Sequence, residues 1–386
     1  MARQGVFKLI AFFILLSMLG ILLTNVPPAA TTVIAEKTVQ DIQIQKRLLS
    51  FDPGSSAQFA FHHGAKAAAL IDVHSGRILW HDHGATEMKV ASLTKIMTAV
   101  VAIEHGHLSD KVTVSKNAQG VEGSSIFLRE GDELGLEQLL YGLMLRSGND
   151  AAVAIAEHVG GSVDGFVQLM NEKAKLIGLE HTQFKNPNGL DVSGHYSTAD
   201  DFARLSAYAL RIPEFAQIVK TKVFESSEPG GSGTVKWANK NKMLSMYDGA
   251  DGVKTGFTLM ARRCLVSSAT RNGQQLAVVT LNDGADWVDH QRLLDYGFAN
   301  FPNIVVAEAG KALPEKPGSG NLLKTIYPDW KLKSSISYPL RKSESDSIKW
   351  KLDIIPDNSS AYQQGLRAVV YLVVNGEFVE SGELIQ

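Results

Sequence analysis

The sequence predicts an α+β protein in which two distant stretches of chain form an antiparallel sheet and a helical cluster is inserted between them. Strand-like runs lie near residue 70 and again after residue 250, and helical spacing dominates the region between them. The late strands meet at Asn272-Gly273, a strong hairpin signal. After Phe301, breaker-rich sequence and short alternating runs predict a second, small all-β domain.

Length and charge exclude several classes of protein. The chain has 386 residues, enough for two domains. It carries 38 Lys plus Arg against 40 Asp plus Glu, a net charge of −2, which excludes a strongly basic nucleic-acid binder and an acidic solvating chain. The single cysteine, Cys264, excludes an internal disulfide and a cysteine zinc cage. Its apolar neighbours predict an inert, buried thiol.

The N-terminus has the pattern of an export segment. Arg3 and Lys8 are followed by the apolar run Leu9–Leu23, interrupted by one serine and one glycine. This run is shorter than the roughly 20 residues that a membrane-spanning helix needs and fits a signal-peptide core. We therefore expect residues 1–35 to be a signal peptide or an N-terminal membrane anchor, and residues 36–64 to be a lead-in to the folded domains.

The remaining elements follow in chain order. An alanine-rich run after Lys66 and a second run from Arg77 to Trp80 predict a hairpin around His74-Ser75-Gly76. Apolar periodicity predicts helices over Ser92–His105, Leu136–Leu145, Ala151–His158, Val163–Ile177 and Ala199–Leu210. Strands are predicted at Gly252–Thr255, Leu265–Thr270, Leu276–Leu281, Ile348–Ile355 and Leu366–Val374. The main domain is placed at 65–302 and the β-rich domain at 303–386.

A serine and a lysine share one face at the start of the first long helix. Ser92 and Lys95 are three residues apart, so the hydroxyl and the amine can meet. Serine becomes a nucleophile when a base takes its proton, and lysine can be that base when burial lowers its pKa. The backbone N–H of Ser92, at a helix N-terminus, also points to where an oxyanion can form. Taken alone, this pattern is common on solvated helix faces.

Two further motifs place polar groups beside predicted elements. The hydroxyl and amide of Ser147-Gly148-Asn149 can relay a proton and orient a lysine, although a helix cap would use the same residues. Lys254-Thr255-Gly256 ends a strand-like run, where a cation and hydroxyls can bind a carboxylate and glycine permits close approach. Alone, it is equally typical of a turn with a solvated lysine. All three motifs in this order are the signature of penicillin-binding proteins and class A β-lactamases, with Gly148 in place of an aspartate.

Beyond these motifs, the chain resembles the low-molecular-weight penicillin-binding proteins that are D-alanyl-D-alanine carboxypeptidases. The segments that carry the resemblance are Ala91–Thr98, Gly123–Leu128, Leu145–Val153, Asn186–Asp191, Gly194–Ala199 and Gly252–Gly256. It covers residues 65–300 well and the β-rich domain more loosely, and it is strongest to sporulation-associated members from endospore-forming bacteria. It implies the penicillin-binding/β-lactamase-like transpeptidase fold, with a five-stranded antiparallel sheet and a helical cluster.

The resemblance also implies a reaction. Ser92 would attack the carbonyl of the penultimate D-alanine of a peptidoglycan stem peptide, with Lys95 as base and Ser147 passing a proton to the departing D-alanine. The backbone N–H groups of Ser92 and Phe257 would form the oxyanion hole. Substrate contacts are expected from Asn149, Lys254, Thr255, Gly256, Phe257 and Thr258.

Partners and location follow from the same resemblance. β-Lactams would acylate Ser92, and neither a metal nor an organic cofactor is required. No nucleic-acid partner is expected. The protein would act on the extracytoplasmic face of the membrane or be secreted, and any membrane association would run through the N-terminal segment. Some relatives clamp the substrate carboxylate with an arginine after the last strand, and no equivalent is evident in 283–292.

Three alternatives compete with this interpretation. A class A-like β-lactamase needs a deacylating glutamate, commonly followed four residues later by asparagine, and no glutamate between residues 147 and 254 has that neighbour. A non-catalytic cell-wall-binding relative would not need the intact Ser92, Lys95, Ser147 and Lys254. A metal site at His81 and His83 or at His105 and His107 lacks the carboxylate–histidine helical pattern, so these histidines are expected to be solvated.

Overall fold

The computed structural model describes residues 63–227, 233–314 and 329–386. The predicted export segment, almost all of the lead-in and most of the breaker-rich stretch 314–320 lie outside these ranges. The strands are β1 Ala67–Asp72, β2 Ile78–Asp82, β3 Lys111–Thr113, β4 Glu133–Gly135, β5 Val223–Ser227, β6 Thr234–Ala238, β7 Ala250–Thr258, β8 Arg262–Arg271, β9 Gln274–Leu281, β10 Asn303–Ala307, β11 Lys331–Leu332, β12 Ile336–Pro339, β13 Lys349–Ile354, β14 Leu366–Val374 and β15 Glu377–Ile385.

Most of the described α-helices form a cluster between β2 and β7, one long helix follows β9, and a short one lies between β13 and β14. They are α1 Lys95–His105, α2 Leu136–Tyr141, α3 Asn149–Gly160, α4 Val163–Leu176, α5 Ala199–Leu210, α6 Pro213–Lys220, α7 Met243–Met246, α8 Asp286–Asn300 and α9 Ser360–Gln363. Short 3₁₀ turns at Ala91–Thr94 and Lys342–Ser347 and a π-helical turn at Gly142–Arg146 complete the set.

The central sheet has five antiparallel strands in the order β2-β1-β9-β8-β7. Every residue of β1 is buried, so the alanine-rich strand is covered on both faces. Both predicted hairpins are present, and their turns use left-handed backbone at Gly76 (φ 72°) and at Asn272-Gly273 (φ 50° and 78°). The predicted α+β class and the assembly of the sheet from two distant stretches are therefore confirmed.

The five predicted helices are present with small changes at their ends. The first begins as the 3₁₀ turn Ala91–Thr94 before α1, so Ser92 lies in a tighter turn than the predicted α-helix. α4 and α5 start at side-chain caps, where Ser162 accepts from the Gly165 N–H and Thr198 from the Asp201 N–H. These caps explain why both predicted starts agree with the structure.

The residues after Phe301 build a separate set of strands. β11, β15, β14 and β13 form a four-stranded antiparallel sheet, and β10 pairs with β12. Their inward side chains form a hydrophobic cluster, with Val370 and Leu384 among its members, distinct from the cluster that contains Leu70 and Phe301. The predicted β-rich character of the residues after Phe301 is therefore confirmed, while the domain bounds 65–302 and 303–386 stay predictions. No helix among residues 63–227, 233–314 and 329–386 is long and apolar enough to cross a bilayer.

Candidate active site

Ser92 occupies a tight turn that opens a buried helix. It is half-buried, whereas the residues around it from Val90 to Ala102 are buried. The turn is held by Thr94, whose hydroxyl donates to the Ala91 carbonyl (2.9 Å) and contacts His195 Nε2 (2.9 Å). Burial lowers the pKa of His195 to about 4, and its Nδ1 accepts the Lys185 N–H, so a neutral ring donates from Nε2 to Thr94.

Lys95 lies one turn further along and is fully buried. Its Nζ is 3.0 Å from Ser92 Oγ, 2.6 Å from Asn149 Oδ1 and 2.6 Å from the Asn188 carbonyl oxygen. A neutral amine has two N–H groups and one lone pair. The two carbonyl oxygens can accept both hydrogens, which leaves the lone pair for the Ser92 hydroxyl.

The surroundings of Lys95 favour that neutral form. Its pKa lies well below the usual value, first because the amine is buried and second because Lys254 and Lys240 add positive charge nearby. Asp150 opposes this effect but is outweighed. The lowered pKa increases the share of the neutral amine, which is the form that can accept a proton.

The second motif lies between the π-helical turn and α3. Ser147 is buried and has left-handed backbone (φ 64°), and Asn149 is the first residue of α3. No side chain caps α3, so the capping alternative does not account for this motif. Instead, Asn149 accepts from Lys95 and donates through Nδ2 to the Glu122 carbonyl (2.5 Å). The amide is fixed in an orientation that presents its oxygen to the lysine.

The third motif lies on β7, the edge strand of the central sheet. Lys254 is buried, its Nζ donates to the Thr255 carbonyl (2.7 Å), and burial together with the charge of Lys240 lowers its pKa to about 7. A Cβ at Gly256 would lie 3.2 Å from the Ser92 nitrogen. Glycine thus lets β7 run directly against the turn that carries Ser92.

The last two predicted contact residues differ in their surroundings. Phe257 is 58% exposed and pairs with Arg263 of β8. The Thr258 hydroxyl donates to Asp191 Oδ1 (2.9 Å) and accepts the Ala261 N–H (3.0 Å). The Thr258 proton is thus directed to Asp191, and the contact of Thr258 with a substrate carboxylate stays a prediction.

The structure thus brings Ser92, Lys95 and Asn149 together by direct contacts and places Gly256 beside Ser92. The charge of Lys254 lowers the pKa of Lys95. Ser147 precedes Asn149 by two residues, and Thr255 lies between Lys254 and Gly256 in the sequence.

Two supporting groups were not predicted. The Asn188 carbonyl belongs to Asn186–Asp191, one of the segments that carry the family resemblance. Its role could not be predicted because a backbone acceptor does not depend on the side chain. Asp150 is fully buried and accepts from Ser125 Oγ (2.5 Å) and from the N–H groups of Ile126 and Leu128 (3.0 and 3.1 Å). An acidic residue in the first turn of a helix is the signal that could have suggested this anchor.

Other side chains near the motifs, and the remaining candidates, serve the fold. Arg263 pairs with Asp286 (2.5 Å) and lies over Trp287. Cys264 is buried, and burial raises the pKa of its thiol to about 12, in agreement with the predicted inert cysteine. Across the described ranges, no three His, Cys, Asp or Glu side chains come together as a metal site. His81 is not solvated as expected, because it pairs with the buried Asp200 (2.9 Å).

Comparisons with known proteins agree on one family. Residues 54–285 match the Peptidase S11 family, described as D-alanyl-D-alanine carboxypeptidase. The chain is 36% identical over 271 residues to the D-alanyl-D-alanine carboxypeptidase DacF of Bacillus subtilis, an alignment that covers 66% of this chain and 69% of DacF.

Solved structures extend the similarity to the fold. A variant of the Streptomyces K15 DD-transpeptidase is 32% identical, with a TM-score of 0.59 over 62% of this chain and 99% of that one. The D-alanyl-D-alanine carboxypeptidase DacD of Francisella tularensis is 24% identical, with a TM-score of 0.63 over 86% of this chain and 98% of that one. The second likeness concerns the fold alone and extends beyond the main domain.

Proposed function

The chain belongs to the D-alanyl-D-alanine carboxypeptidase family of serine peptidases, and on that premise we propose that it removes the terminal D-alanine from peptidoglycan stem peptides through an acyl-enzyme on Ser92. In this reaction Lys95 takes the Ser92 proton as the hydroxyl attacks the penultimate D-alanine carbonyl. Water then hydrolyses the ester, and the shortened stem peptide leaves.

One observation carries the proposal. Lys95 is buried, and the carbonyl oxygens of Asn149 and Asn188 lie 2.6 Å from its Nζ while Ser92 Oγ lies at 3.0 Å. Both hydrogens of a neutral amine are taken, so its lone pair faces the nucleophile. A lysine that only stabilised the fold would not need a serine hydroxyl at this position.

The remaining steps are assigned to groups around this pair. The backbone N–H groups of Ser92 and Phe257 would stabilise the oxyanion, which is supported by the close approach of β7 to the Ser92 turn at Gly256. Ser147 would pass the proton to the departing D-alanine nitrogen, helped by Lys254. Lys254 and Thr255 would face the substrate's terminal carboxylate.

Location and ligands follow from the family. Its members act on peptidoglycan outside the cytoplasm, and β-lactams bind them. We propose that the segment up to residue 35 directs this chain to the extracytoplasmic face of the membrane or into the medium. The association with sporulation stays a prediction.

The experiment is a product analysis with the full chain. A peptide ending in D-Ala-D-Ala is incubated with the wild type, with Ser92→Ala and with Ser109→Ala, an exposed serine that serves as control. We expect free D-alanine from the wild type and the control, and none from Ser92→Ala. Rapid penicillin hydrolysis without D-alanine release would indicate a β-lactamase. No release and no covalent penicillin would indicate a non-catalytic relative.

A further inference from the structure

Lys240 lies at the rim of the site, on the segment between β6 and α7, where the residue is exposed but its amine is partly shielded from water. Its backbone N–H donates to the Leu145 carbonyl (3.2 Å), two residues before Ser147. Its Nζ donates to Ser124 Oγ (3.1 Å), and the Ser124 carbonyl accepts the Asn149 N–H (2.7 Å). A single residue thus contacts both the turn that carries Ser147 and the loop that holds Asn149.

The charge of Lys240 acts on both buried lysines. After burial, the positive charges of Lys254 and Lys240 lower the pKa of Lys95, and Asp150 opposes them. For Lys254, the charge of Lys240 is the contribution that follows burial. The pKa of Lys240 is itself lowered, first by burial and then by Arg146. The charged groups that act on Lys95 are therefore Lys254 of β7, Asp150 of α3 and Lys240 itself, while Arg146 of the π-helical turn acts on Lys240.

We propose that Lys240 is a positioning residue that fixes the Ser124 loop on Asn149 and places a third positive charge beside Lys95 and Lys254. The inference rests on the proposed function, in which a neutral Lys95 removes the Ser92 proton. Lys240 reaches the reaction only through other groups, since its own contacts are to Leu145 and Ser124.

Removal of the Lys240 charge should raise the pKa values of Lys95 and Lys254. Without it, the ammonium forms of Lys95 and Lys254 are less disfavoured, so the pKa values of both amines rise. A base that must be neutral then works only at higher pH. As the pH is lowered, the acylation rate should therefore begin to fall at a higher pH than in the wild type. Because the Lys240 amine is only partly shielded from water, added salt should screen its charge and reduce the effect.

The experiment measures the acylation rate constant with a fluorescent penicillin as a function of pH. The midpoint is the pH at which the rate constant has fallen to half its plateau value on the acid side. In Lys240→Met we expect this midpoint to rise by about half a pH unit at low salt, a size typical of one exposed charge. Lys240→Arg keeps the charge and should keep the midpoint. Ser124→Ala removes the hydrogen bond but not the charge, so the rate should fall severalfold while the midpoint stays.

The outcomes separate this inference from the proposed function. An unchanged midpoint in Lys240→Met, or an equal shift in Lys240→Arg, would overturn the role of Lys240 while the wild type still reacts. Lys240→Gln gives the same comparison if the methionine variant folds poorly. A wild type that is not acylated at any pH would contradict the proposed function itself.

Discussion

Burial of two lysines is the main physical feature of the site at the scale of single residues. A buried ammonium without a counter-ion is costly, so the pKa of each amine falls, to about 7 for Lys254. The lowered pKa of Lys95 favours the neutral form that the proposed base requires. The meeting of Ser92 and Lys95 could be predicted because three residues along a helical turn place side chains on one face. The Asn188 carbonyl could not be predicted, because only the fold brings that backbone to Lys95.

Replacement of Lys95 by alanine should abolish the general base. We expect Lys95→Ala to slow acylation by a fluorescent penicillin on the order of 10²–10⁴-fold, the usual contribution of a positioned base. Lys116→Ala removes an exposed lysine and should leave the rate unchanged. If Lys95→Ala folds normally by circular dichroism and still reacts at the wild-type rate, Lys95 is not the base.

At the scale of elements, the loop that carries Asn188 is packed against the turn that carries Ser92. Gly189 has φ 85°, and a Cβ there would lie 1.9 Å from the Ala91 carbonyl oxygen. No L side chain fits without moving one of the two segments. This contact, invisible in the sequence, sets the distance between Asn188 and Lys95.

Gly189→Ala should therefore impair the site as well as the fold. We expect lower stability in urea and a slower acylation rate in the molecules that remain folded, since the Asn188 carbonyl must shift. Gly120→Ala is the matched control: its φ is 72°, but a Cβ meets nothing within 4 Å. It should cost about 1 kcal/mol of stability with an unchanged rate. Equal rates in the two variants would count against the packing argument.

The interface between the central sheet and α8 contains a buried, titratable histidine. His290 contacts the hydroxyls of Ser267 (2.5 Å) and Thr280 (3.0 Å), and burial lowers its pKa to about 3. The folded state therefore holds a neutral ring where an unfolded chain binds a proton below about pH 6.5. This contribution to stability is full above that pH and is lost as the pH falls toward the folded pKa.

The prediction concerns the slope of unfolding free energy with pH. Between about pH 6 and 4 the wild type should lose about 1.4 kcal/mol per pH unit more than His290→Gln, which corresponds to one proton. His74→Gln, at an exposed position, should retain the wild-type slope. The measurement is a series of urea titrations; parallel slopes for the wild type and His290→Gln would contradict it.

Sequence patterns predicted elements with strong periodicity and missed weaker ones. Buried helices such as α1 and α5, and the hairpin of β8 and β9, have clear spacing and turn residues. α6 has only eight residues, and β5 and β6 form a largely exposed pair whose contacts with the fold include an aromatic stack of Phe224 on Tyr141. Such elements depend on tertiary packing rather than on local pattern.

At the scale of the whole molecule, one arginine connects the central sheet to the C-terminal strands. Arg77 follows β1 and donates to the Pro339 carbonyl (2.6 Å) and to both oxygens of Glu344 (2.5 and 3.1 Å). Its guanidinium lies over the rings of Phe301 and Tyr338. Because both charges are largely shielded from water, removal of one leaves the other buried and poorly paired.

Arg77→Ala should loosen the C-terminal strands without changing the site. We expect a loss of about 2–4 kcal/mol in unfolding free energy and faster proteolysis after residue 303, with the acylation rate of folded protein unchanged. Lys333→Ala removes an exposed partner of Glu383 and should cost less than about 1 kcal/mol. Equal stabilities for the two variants would show that the Arg77 contacts do not hold the strands.

The most direct test of the account locates the covalent bond. The full chain is exposed briefly to penicillin and then digested with trypsin, which cleaves after Lys89 and after Lys95 and should release the peptide Val90–Lys95. Mass spectrometry of this peptide can identify the modified residue. The acyl-enzyme mechanism predicts one penicilloyl group, on Ser92, and its absence when Ser92 is replaced by alanine. An unmodified Ser92 with a bond elsewhere, or no adduct at all, would contradict it.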